Sequence, residues 1–444
     1  MPALPLSATE AALENQRFGG LQLKVALLCG LTQAFDGYDL NAIGMAAPAL
    51  SHAWNVPPAA FASAFVMSSV GIMVGALSAG PAGDRLGRKP VIITGLLFIG
   101  LFSLASTFAG SLPTLTVLRF FTGIGIGALM PATVALSSDY APERMRAVVI
   151  MLVFVGNPIG GFLGGQLIAM MLPSFGWTSI FVVGGVLPLA LIPVQLLWLP
   201  ESPRFLLRRG RFSPREQRLF RTLNVEPAAR GHAVDVATGN PVAGLFRDGL
   251  APTTLLVWVL FFANLLSMFL ISYWLPTVLH LSGFSPAGAV FAASMQAAGG
   301  IIGTLMLGAL SLRFGASRVI AVSLASGVLM IGAVGLLTMP YLLLLAAIFC
   351  MGSCTVGSQT AANGMVAALY PARVRTTGMG WALGIGRLGG ISGPALGGLL
   401  LGLGWPPRQI LLCACATALI ATACTLLLRL RVQRRTPELI LGRT

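Results

Sequence analysis

The stretch GPAGDRLGRKPVI, Gly80–Ile92, follows a long apolar run, and a weaker copy of it, GALSLRFGASRVI, occupies Gly308–Ile320. A second pair of related stretches follows the two copies in the same order. YAPERMRA at Tyr140–Ala147 resembles YPARVRTT at Tyr370–Thr377. Related stretches that keep their order indicate a duplicated unit, as in membrane proteins built from structural repeats. We therefore expect two halves with the same order of helices.

The composition is that of a membrane protein. Hydrophobic residues make up 56% of the 444 residues and charged residues 9%, whereas a soluble domain has about 45–50% apolar and about 25% charged residues. Long apolar runs recur from end to end and predict twelve spans. These are 23–50, 59–79, 90–110, 113–138, 147–170, 177–199, 253–280, 286–312, 316–338, 341–369, 375–403 and 406–429. We predict an all-α membrane protein with twelve transmembrane helices in two six-helix bundles related by a pseudo-two-fold axis.

The spans divide the chain into five parts. The first residues lack the basic start of a signal peptide, so we expect the first span to be retained. One long polar insert separates the sixth and seventh spans. The predicted parts are a cytoplasmic segment (1–22), an N-terminal bundle (23–199), a cytoplasmic interdomain loop (200–252), a C-terminal bundle (253–429) and a cytoplasmic tail (430–444).

The positive charge follows the predicted topology. With the N-terminus in the cytoplasm, 25 of the 28 Lys and Arg residues fall on one side, and only Arg119, Arg387 and Arg408 do not. Cytoplasmic loops of membrane proteins carry this excess. Both termini are therefore predicted to be cytoplasmic. The net charge of +15 is explained by orientation and by contact with anionic lipid, so no nucleic-acid partner is expected.

The sequence contains no pattern typical of an enzyme. The six cysteines all fall in apolar spans without the spacing of a zinc site or a disulfide framework. There is no GxxxxGK[ST] nucleotide motif and no second soluble domain. We expect a secondary active transporter without metal or cofactor.

Four charged residues lie well inside predicted spans: Asp36, Asp39, Arg119 and Arg387. A charge at the bilayer midplane costs about 2.5–3.5 kcal/mol on insertion scales, and such residues are functional candidates by default. Asp36 and Asp39 are three residues apart and share a helix face. Two buried carboxylates a turn apart disfavour joint ionisation, so one of them should take up a proton readily.

Several motifs carry a family resemblance. The loop GPAGDRLGRK (Gly80–Lys89), RFFTGIGIG (Arg119–Gly127) and PESPRFL (Pro200–Leu206) resemble motifs of the major facilitator superfamily and its sugar porters. The stretch DGYDLNAIG (Asp36–Gly44), with SDYAPERMR and WALGIGRLGG, is similar to the aromatic acid:proton symporter family. The resemblance covers nearly the whole chain except the termini and the insert. It implies proton-driven import of benzoate, hydroxybenzoates, protocatechuate, vanillate or muconate.

The resemblance also implies roles for the buried charges. By similarity to proton-coupled sugar porters, Asp39 is the expected proton carrier and Arg119 its modulator, since ion pairing favours the carboxylate and separation favours its protonation. The alternative is a permanent pair that holds two helices together. Asp36 is a second proton site, a polar pore group or a structural acceptor.

Arg387 is the expected receptor for the substrate carboxylate, because a guanidinium binds a carboxylate through two parallel hydrogen bonds. The alternatives are a salt bridge to Asp36 or a bond to backbone carbonyls. Other polar or aromatic residues inside spans are weaker candidates for the binding site, since each is more often a packing residue. They are Asn264, Tyr273, Trp274, Gln296, Asn363 and Trp381, with Gln33 and Asn41, which flank the acid pair and are candidates for its hydrogen-bond partners.

The cytoplasmic loops are predicted to form gates. Asp84 is placed where the N-terminus of a facing helix can bind it, and the basic residues after it can pair with Asp139 and Glu143. In the second half Leu312 replaces the acid, so that gate must be weaker or built differently. The alternative is that the charges of these loops only set the orientation of the protein in the membrane. The predicted gate residues are Gly80, Asp84, Arg85, Gly87, Arg88, Asp139, Glu143, Arg144 and Arg373.

Other functions remain open at this point. The cargo is alternatively an aliphatic or polyol acid such as muconate. A proton antiporter that exports amphiphilic compounds is disfavoured by Arg387, since a pump for cations would need acids there. A sensor with a transporter fold is a further alternative. We expect a monomer in the cell membrane. If the source is a Gram-negative bacterium, this is the inner membrane.

Overall fold

The structure of the chain is a computed structural model. It describes residue 16 and residues 18–210, 212–223, 242–247 and 249–441. The side chains of residues 215, 367, 368, 372, 373, 376 and 432–441 lie outside the described part. Over the described ranges the fold is all-helical, as predicted.

Twelve long helices, numbered α1 to α12 here, account for most of the described residues. Each of them overlaps one predicted span, so span and helix numbers agree. The first six are Gly20–Trp54, Ala62–Leu86, Arg88–Ser106, Leu112–Tyr140, Arg146–Phe175 and Thr178–Trp198. The last six are Ala251–Leu281, Pro286–Phe314, Ala316–Leu336, Tyr341–Leu369, Ala372–Gly402 and Ile410–Leu441.

Helix ends differ from the predicted spans by a few residues, and most at the last helix. The predicted last span, 406–429, begins with the short 3-10 turn Pro407–Gln409, and α12 continues to Leu441. Hydropathy detects the apolar part of a helix, whereas backbone hydrogen bonding continues into its polar ends. The insert contains two short helices, Pro203–Arg209 and Pro214–Thr222. The second begins with a capping box, in which Ser213 and Glu216 each accept a backbone N–H.

Among the described residues, ten helices are long and apolar enough to cross a membrane by length and composition. The other two of the twelve are α1 and α11. These are the helices that carry Asp36, Asp39 and Arg387. The two helices that do not meet this criterion therefore contribute three of the four buried charges.

Both halves use glycine to bring the same pair of helices together. In the first half, α2 meets α4 so closely that a Cβ on Gly71 would lie 2.1 Å from the Phe120 carbonyl oxygen. In the second half, α8 meets α10, and a Cβ on Gly299 would lie 1.8 Å from the Phe349 carbonyl oxygen. Small residues permit this backbone approach between membrane helices. The equivalent contacts fit the duplication predicted from the sequence.

The two bundles meet at the predicted outer ends of α1, α2, α7 and α11. A Cβ on Gly44 would lie 2.9 Å from the Tyr273 carbonyl oxygen, and one on Gly398 would lie 2.2 Å from the Ala62 Cβ. On the predicted cytoplasmic side, by contrast, Leu312 is 93% exposed and the Asp84 side chain is 61% exposed. The structure is therefore closed between the bundles at its predicted outer side.

Candidate functional site

The segment DGYD of α1 directs four consecutive residues to four different surroundings. Gly37 faces α5, where a Cβ would lie 1.8 Å from the Asn157 carbonyl oxygen. The Tyr38 hydroxyl donates to the Ile180 carbonyl oxygen of α6 at 2.6 Å. Successive helix positions point about 100° apart. Asp36 and Asp39, on either side of Gly37 and Tyr38, therefore reach different groups, although they are only three residues apart.

Asp39 and Arg119 form the predicted ion pair. Arg119 Nη1 donates to Asp39 Oδ2 at 3.3 Å, and the two side chains are 1% and 0% exposed. The other carboxylate oxygen, Oδ1, accepts a short hydrogen bond from the Ser103 hydroxyl of α3. Both oxygens of this buried carboxylate therefore have donors, as a charge out of water requires.

Arg119 has further partners besides Asp39. Its Nη2 donates to the hydroxyls of Ser103 at 3.1 Å and Ser106 at 2.9 Å. The guanidinium carbon lies 5.0 Å from the centre of the Phe181 ring, a cation–π contact. The guanidinium therefore keeps hydrogen bonds and an aromatic face when Asp39 is neutral. The sequence motifs predict the ion pair but not the two serines of α3.

Asp36 faces a central cavity rather than the ion pair. It is 4% exposed, and its Oδ2 accepts a hydrogen bond from Asn157 Nδ2 of α5 at 3.0 Å. Its Oδ1 is buried and has no hydrogen-bond partner in the described part of the chain. An unsatisfied buried oxygen is costly. Asp36 is thus a group with one oxygen available to a proton or a ligand.

The central cavity lies between the two bundles and has a volume of about 120 Å³. Its walls are mostly apolar, with two aromatic rings and a few polar groups, the usual composition of a small-molecule site. The apolar lining is Leu40, Ile126, Met130, Phe154, Pro158, Leu265, Met268, Phe269, Val356 and Leu383. The polar lining is Gln33, Asp36, Asn157, Thr304, Gln359, Thr360, Asn363 and Arg387.

Arg387 lines this cavity without an ion-pair partner. Its Nη2 contacts the Met130 sulfur at 3.4 Å, and among the described residues no carboxylate oxygen lies within 4.0 Å of it. The alternative of a salt bridge to Asp36 is therefore not formed in this structure. The guanidinium is positioned to receive an anion in the cavity.

A chain of three amides supports the cavity wall of the second bundle. Asn264 Nδ2 of α7 donates to Gln359 Oε1 of α10 at 2.7 Å, and Gln359 Nε2 donates to Asn363 Oδ1 at 3.2 Å. Asn264 and Asn363 are among the residues predicted from the sequence, but Gln359 is not. Its spacing of four residues from Asn363 was the available signal, because residues i and i+4 share a helix face. Asn264 lies behind the wall and orients Gln359 instead of lining the cavity.

Gln33 and two more of the predicted residues lie in or near the same space. The Gln33 amide lines the central cavity and donates to the Thr133 hydroxyl at 2.8 Å. Asn41 and Gln296 line an adjoining smaller cavity of about 40 Å³, which shares Asn157 with the first. Asn41 is not bonded to the acid pair, since its Nδ2 donates to the Gly37 carbonyl oxygen at 2.8 Å.

Three aromatic residues predicted to contact substrate lie elsewhere. Tyr273 and Trp274 are fully buried between the bundles, each with its ring centre 5.0 Å from that of Phe65 on α2. Trp381 is 41% exposed and stacks on Trp258 at the outside of α7. Neither cavity is lined by them. They are packing residues here, because their helix faces turn towards other helices or the surface.

The loop after α2, on the predicted cytoplasmic side, contains part of the predicted ion network. Arg88 Nη2 lies 3.1 Å from Asp84 Oδ1, and Arg88 Nε lies 3.7 Å from Asp139 Oδ2 of α4. Asp84 does not lie at the N-terminus of a facing helix as expected. It is exposed and also lies 3.9 Å from Arg208 Nη1 of the insert. The neighbours of this exposed carboxylate are therefore arginines of the first bundle and of the insert.

Glu201 of the PESPRFL motif occupies a helix N-terminus instead. Its carboxylate accepts the backbone N–H of Arg88 at 2.8 Å and that of Lys89 at 3.3 Å, the first residues of α3. Gly87 precedes them with φ +102°, and a Cβ there would lie 2.3 Å from Glu201 Oε2. A carboxylate at a helix N-terminus meets unpaired N–H groups and the positive dipole end. The sequence analysis missed this residue, whose partner is distant in the chain.

The remaining predicted gate residues show fewer contacts. Arg85, Glu143 and Arg144 are exposed, and in the described part of the structure none of them has an ion pair within 4.0 Å. Gly80 has open space around the position of a Cβ. The side chain of Arg373 lies outside the described residues. The predicted pairing of Glu143 is therefore not formed, because the loop turns its side chain to the surface.

The fold and the central cavity define a transporter of small molecules, with two helical bundles around a site at their interface. The family model described as Major Facilitator Superfamily matches residues 29–340 and, in a second overlapping match, residues 257–442. The chain belongs to the Major Facilitator Superfamily. It is a multi-pass protein of the cell membrane and not an enzyme.

Characterised relatives match the chain over most of its length. It is 36% identical to the 4-hydroxybenzoate transporter PcaK of Pseudomonas aeruginosa, over 96% of this chain and 97% of that one. It is 38% identical to the gallate transporter of Pseudomonas putida, over 88% of each. It is 34% identical to the 3-(3-hydroxy-phenyl)propionate transporter of Escherichia coli, over 92% of this chain and 94% of that one.

Solved structures share the fold. A bacterial homologue of the human lysosomal transporter Spinster, in an inward-facing and unoccupied conformation, superposes with a TM-score of 0.67 at 17% identity, covering 93% of this chain and 98% of that one. The nucleoside transporter NupG superposes with a TM-score of 0.69 at 14% identity, covering 92% and 99%. At this level of identity the likeness concerns the fold alone.

Proposed function

We propose that the chain is a proton-coupled importer of small aromatic carboxylates. The observation that carries the proposal is Arg387, a guanidinium without an ion-pair partner among the described residues, in the wall of an apolar, partly aromatic cavity between the bundles. The relatives at 34–38% identity are named as transporters of hydroxybenzoate, gallate and hydroxyphenylpropionate, which supports an aromatic acid as cargo.

The cavity suits the two parts of such an acid. Arg387 supplies two parallel N–H donors for the carboxylate. Phe154 and Phe269 supply ring edges and faces, and Met130 supplies a polarisable contact beside the guanidinium. The volume of about 120 Å³ fits a single substituted benzene ring.

The proton is assigned to Asp39. When Asp39 is ionised it holds Arg119 and accepts from Ser103. When it takes up a proton, Arg119 keeps Ser103 and Ser106 as hydrogen-bond partners, so the loss of the ion pair does not leave a bare buried cation. Such a pair can bind and release a proton as the helices move, and the transmembrane proton gradient then drives uptake without a cofactor.

Alternating access follows from the contacts between the bundles. The outer ends of α1, α2, α7 and α11 are in contact here, and these contacts must open to admit substrate from outside. The cytoplasmic network of Arg88, Asp84 and Asp139 is available to bias the opposite state, since ligand and proton shift the population between the two. We further propose a monomer surrounded by lipid, because the single chain supplies both halves of the cavity.

The proposal is tested by transport in purified proteoliposomes with an imposed inward proton gradient. We expect uptake of at least one of labelled benzoate, 4-hydroxybenzoate, protocatechuate, vanillate and gallate, and loss of its accumulation when an ionophore collapses the gradient. Protein-free liposomes are the control. Uptake of muconate alone would favour the aliphatic-acid alternative. Absence of uptake for every aromatic acid would contradict the substrate class, and accumulation without a gradient would contradict proton coupling.

A further inference from the structure

The amide chain of the second bundle ends in the cavity. Asn264 is buried and bonded to Gln359, and Gln359 is bonded to Asn363. Asn363 uses its oxygen in this chain, and its Nδ2 has no hydrogen-bond partner in the described structure. If the O and N atoms of all three amides are exchanged, donor and acceptor are reversed in both hydrogen bonds. Asn363 then presents its oxygen, so in both cases a free hydrogen-bonding group of Asn363 faces the cavity.

The cavity-lining amides of this hydrogen-bonded series, Gln359 and Asn363, lie nearer the predicted cytoplasmic side than Arg387 does. Helix α10 ends at Leu369 and α11 begins at Ala372, so these two helix ends lie at the same level. Counted from them, Asn363 is six residues deep, Gln359 ten and Arg387 fifteen. At about 1.5 Å per residue, Gln359 and Asn363 are about 8 Å and about 13 Å closer to the cytoplasm than Arg387. That is the scale of a benzene ring with substituents at opposite ends.

Apolar groups separate the two polar positions. Leu383 lies one helical turn from Arg387 on the cytoplasmic side and lines the cavity, and Met130 contacts the guanidinium itself. A benzoate-like ligand with its carboxylate on Arg387 therefore has apolar walls around its ring. The far end of the ring then meets an amide. An unpaired amide favours a ligand that hydrogen-bonds to it over one that leaves it bare.

We propose that Gln359 and Asn363 form a subsite for a ring hydroxyl opposite the carboxylate, and that the preferred substrates are para-hydroxylated aromatic acids rather than benzoate. The inference rests on the proposed function and specifies it. A phenolic hydroxyl both donates and accepts, so it matches either orientation of the Asn363 amide. Asn264 is a positioning residue, since it holds Gln359 from behind the wall.

The test compares two acids that differ by one hydroxyl. Proteoliposomes take up labelled 4-hydroxybenzoate or benzoate, and the ratio of their Vmax/KM values is measured for the unmodified protein, Asn363→Leu, Gln359→Met and the control Thr355→Val. Thr355 is buried on the same helix, bonds to its own helix at the Met351 carbonyl oxygen and does not line the cavity. We expect the ratio to fall about tenfold in the first two variants, the equivalent of about one hydrogen bond.

Further transport measurements distinguish the loss of this subsite from a general loss of transport in the variants. The hydroxyl of 2-hydroxybenzoate lies beside the carboxylate. Its Vmax/KM should therefore change in each variant by the same factor as that of benzoate. Unlabelled 4-hydroxybenzoate should compete better than benzoate on the unmodified protein, a measurement that stands if a variant does not fold. A ratio within twofold of the unmodified value in the folded variants, or equal competition, would overturn the subsite while leaving aromatic acid transport in place. No uptake of either acid would overturn the subsite, and the proposed function falls with it only if protocatechuate, vanillate and gallate are not taken up either.

Discussion

Arg119 and Asp39 form an ion pair of 3.3 Å in which the two side chains are 1% and 0% exposed. The same guanidinium also bonds to Ser103 and Ser106 of α3. A buried pair that loses one partner normally leaves an uncompensated charge, at a cost of about 3–5 kcal/mol. The two serines reduce that cost at this site, so the pair can be neutralised at Asp39 without loss of the fold.

Replacement of Asp39 with Asn should abolish accumulation driven by the proton gradient while sparing exchange of labelled for unlabelled substrate. Asparagine keeps the shape and can still accept from Ser103, but it cannot carry a proton. The measurement is concentrative uptake and counterflow in the same proteoliposomes. Glu216→Gln, which removes a carboxylate of the insert between the two bundles, is the matched control and should accumulate substrate normally.

If Asp39→Asn still accumulates substrate against its gradient, Asp39 is not the carrier. Asp36, whose Oδ1 is free to take a proton, then becomes the candidate.

The replacement Arg387→Lys should raise KM for aromatic carboxylates by about tenfold or more. Lysine keeps the charge but loses the planar pair of donors that binds a carboxylate through two hydrogen bonds. Initial rates over a range of substrate concentrations measure KM and Vmax separately. Unchanged values of both would show that the substrate carboxylate does not bind at Arg387.

The replacement Gly37→Ala should strongly reduce both folded yield and transport. A Cβ at this position would lie 1.8 Å from the Asn157 carbonyl oxygen, so α1 and α5 must separate and the bond between Asp36 and Asn157 must lengthen. The matched control on the same helix is Gly30→Ala, whose Cβ would have its nearest contact at 3.9 Å. Size-exclusion profiles in detergent, together with uptake, measure the difference. Equal behaviour of the two variants would mean that the close approach of the helices is not required.

The replacement Gly87→Ala should lower the thermal unfolding midpoint in detergent, whereas Gly80→Ala in the same loop motif should not. Gly87 has φ +102°, and its Cβ would collide with the carboxylate of Glu201. Strain of this kind costs about 1–3 kcal/mol, and displacement of Glu201 also uncaps α3. Gly80 lies within α2 with nothing within 4 Å of the Cβ position. A Gly87→Ala midpoint equal to that of Gly80→Ala would contradict the capping role of Glu201.

Much of the architecture could be read from local properties of the chain. Apolar runs located all twelve long helices, since the length needed to cross a bilayer is a property of one segment. The cost of burying charge picked out Asp36, Asp39, Arg119 and Arg387 before any contact was known. The resemblance in DGYD and RFFTG then predicted the pairing of Asp39 with Arg119, which the structure contains.

The side-chain partners were less predictable. Tyr273, Trp274 and Trp381 have the chemistry of a ring-binding wall, yet they pack between helices or face the surface. Nothing in a single span tells which of its faces meets the cavity, because most faces of a buried membrane helix are equally apolar.

Local properties of the chain are enough to predict the class of the protein, its helices, its duplication and the four charges that need an explanation. These follow from composition, periodicity and the energetic cost of a charge in lipid, all of which act segment by segment. Three further features could not be predicted in this way: Asp36 faces the cavity with Asn157, Ser103 and Ser106 support Arg119, and Gln359 joins Asn264 to Asn363. Each of these contacts joins different helices or depends on how one helix is rotated against its neighbours, which close packing through glycine sets in three dimensions.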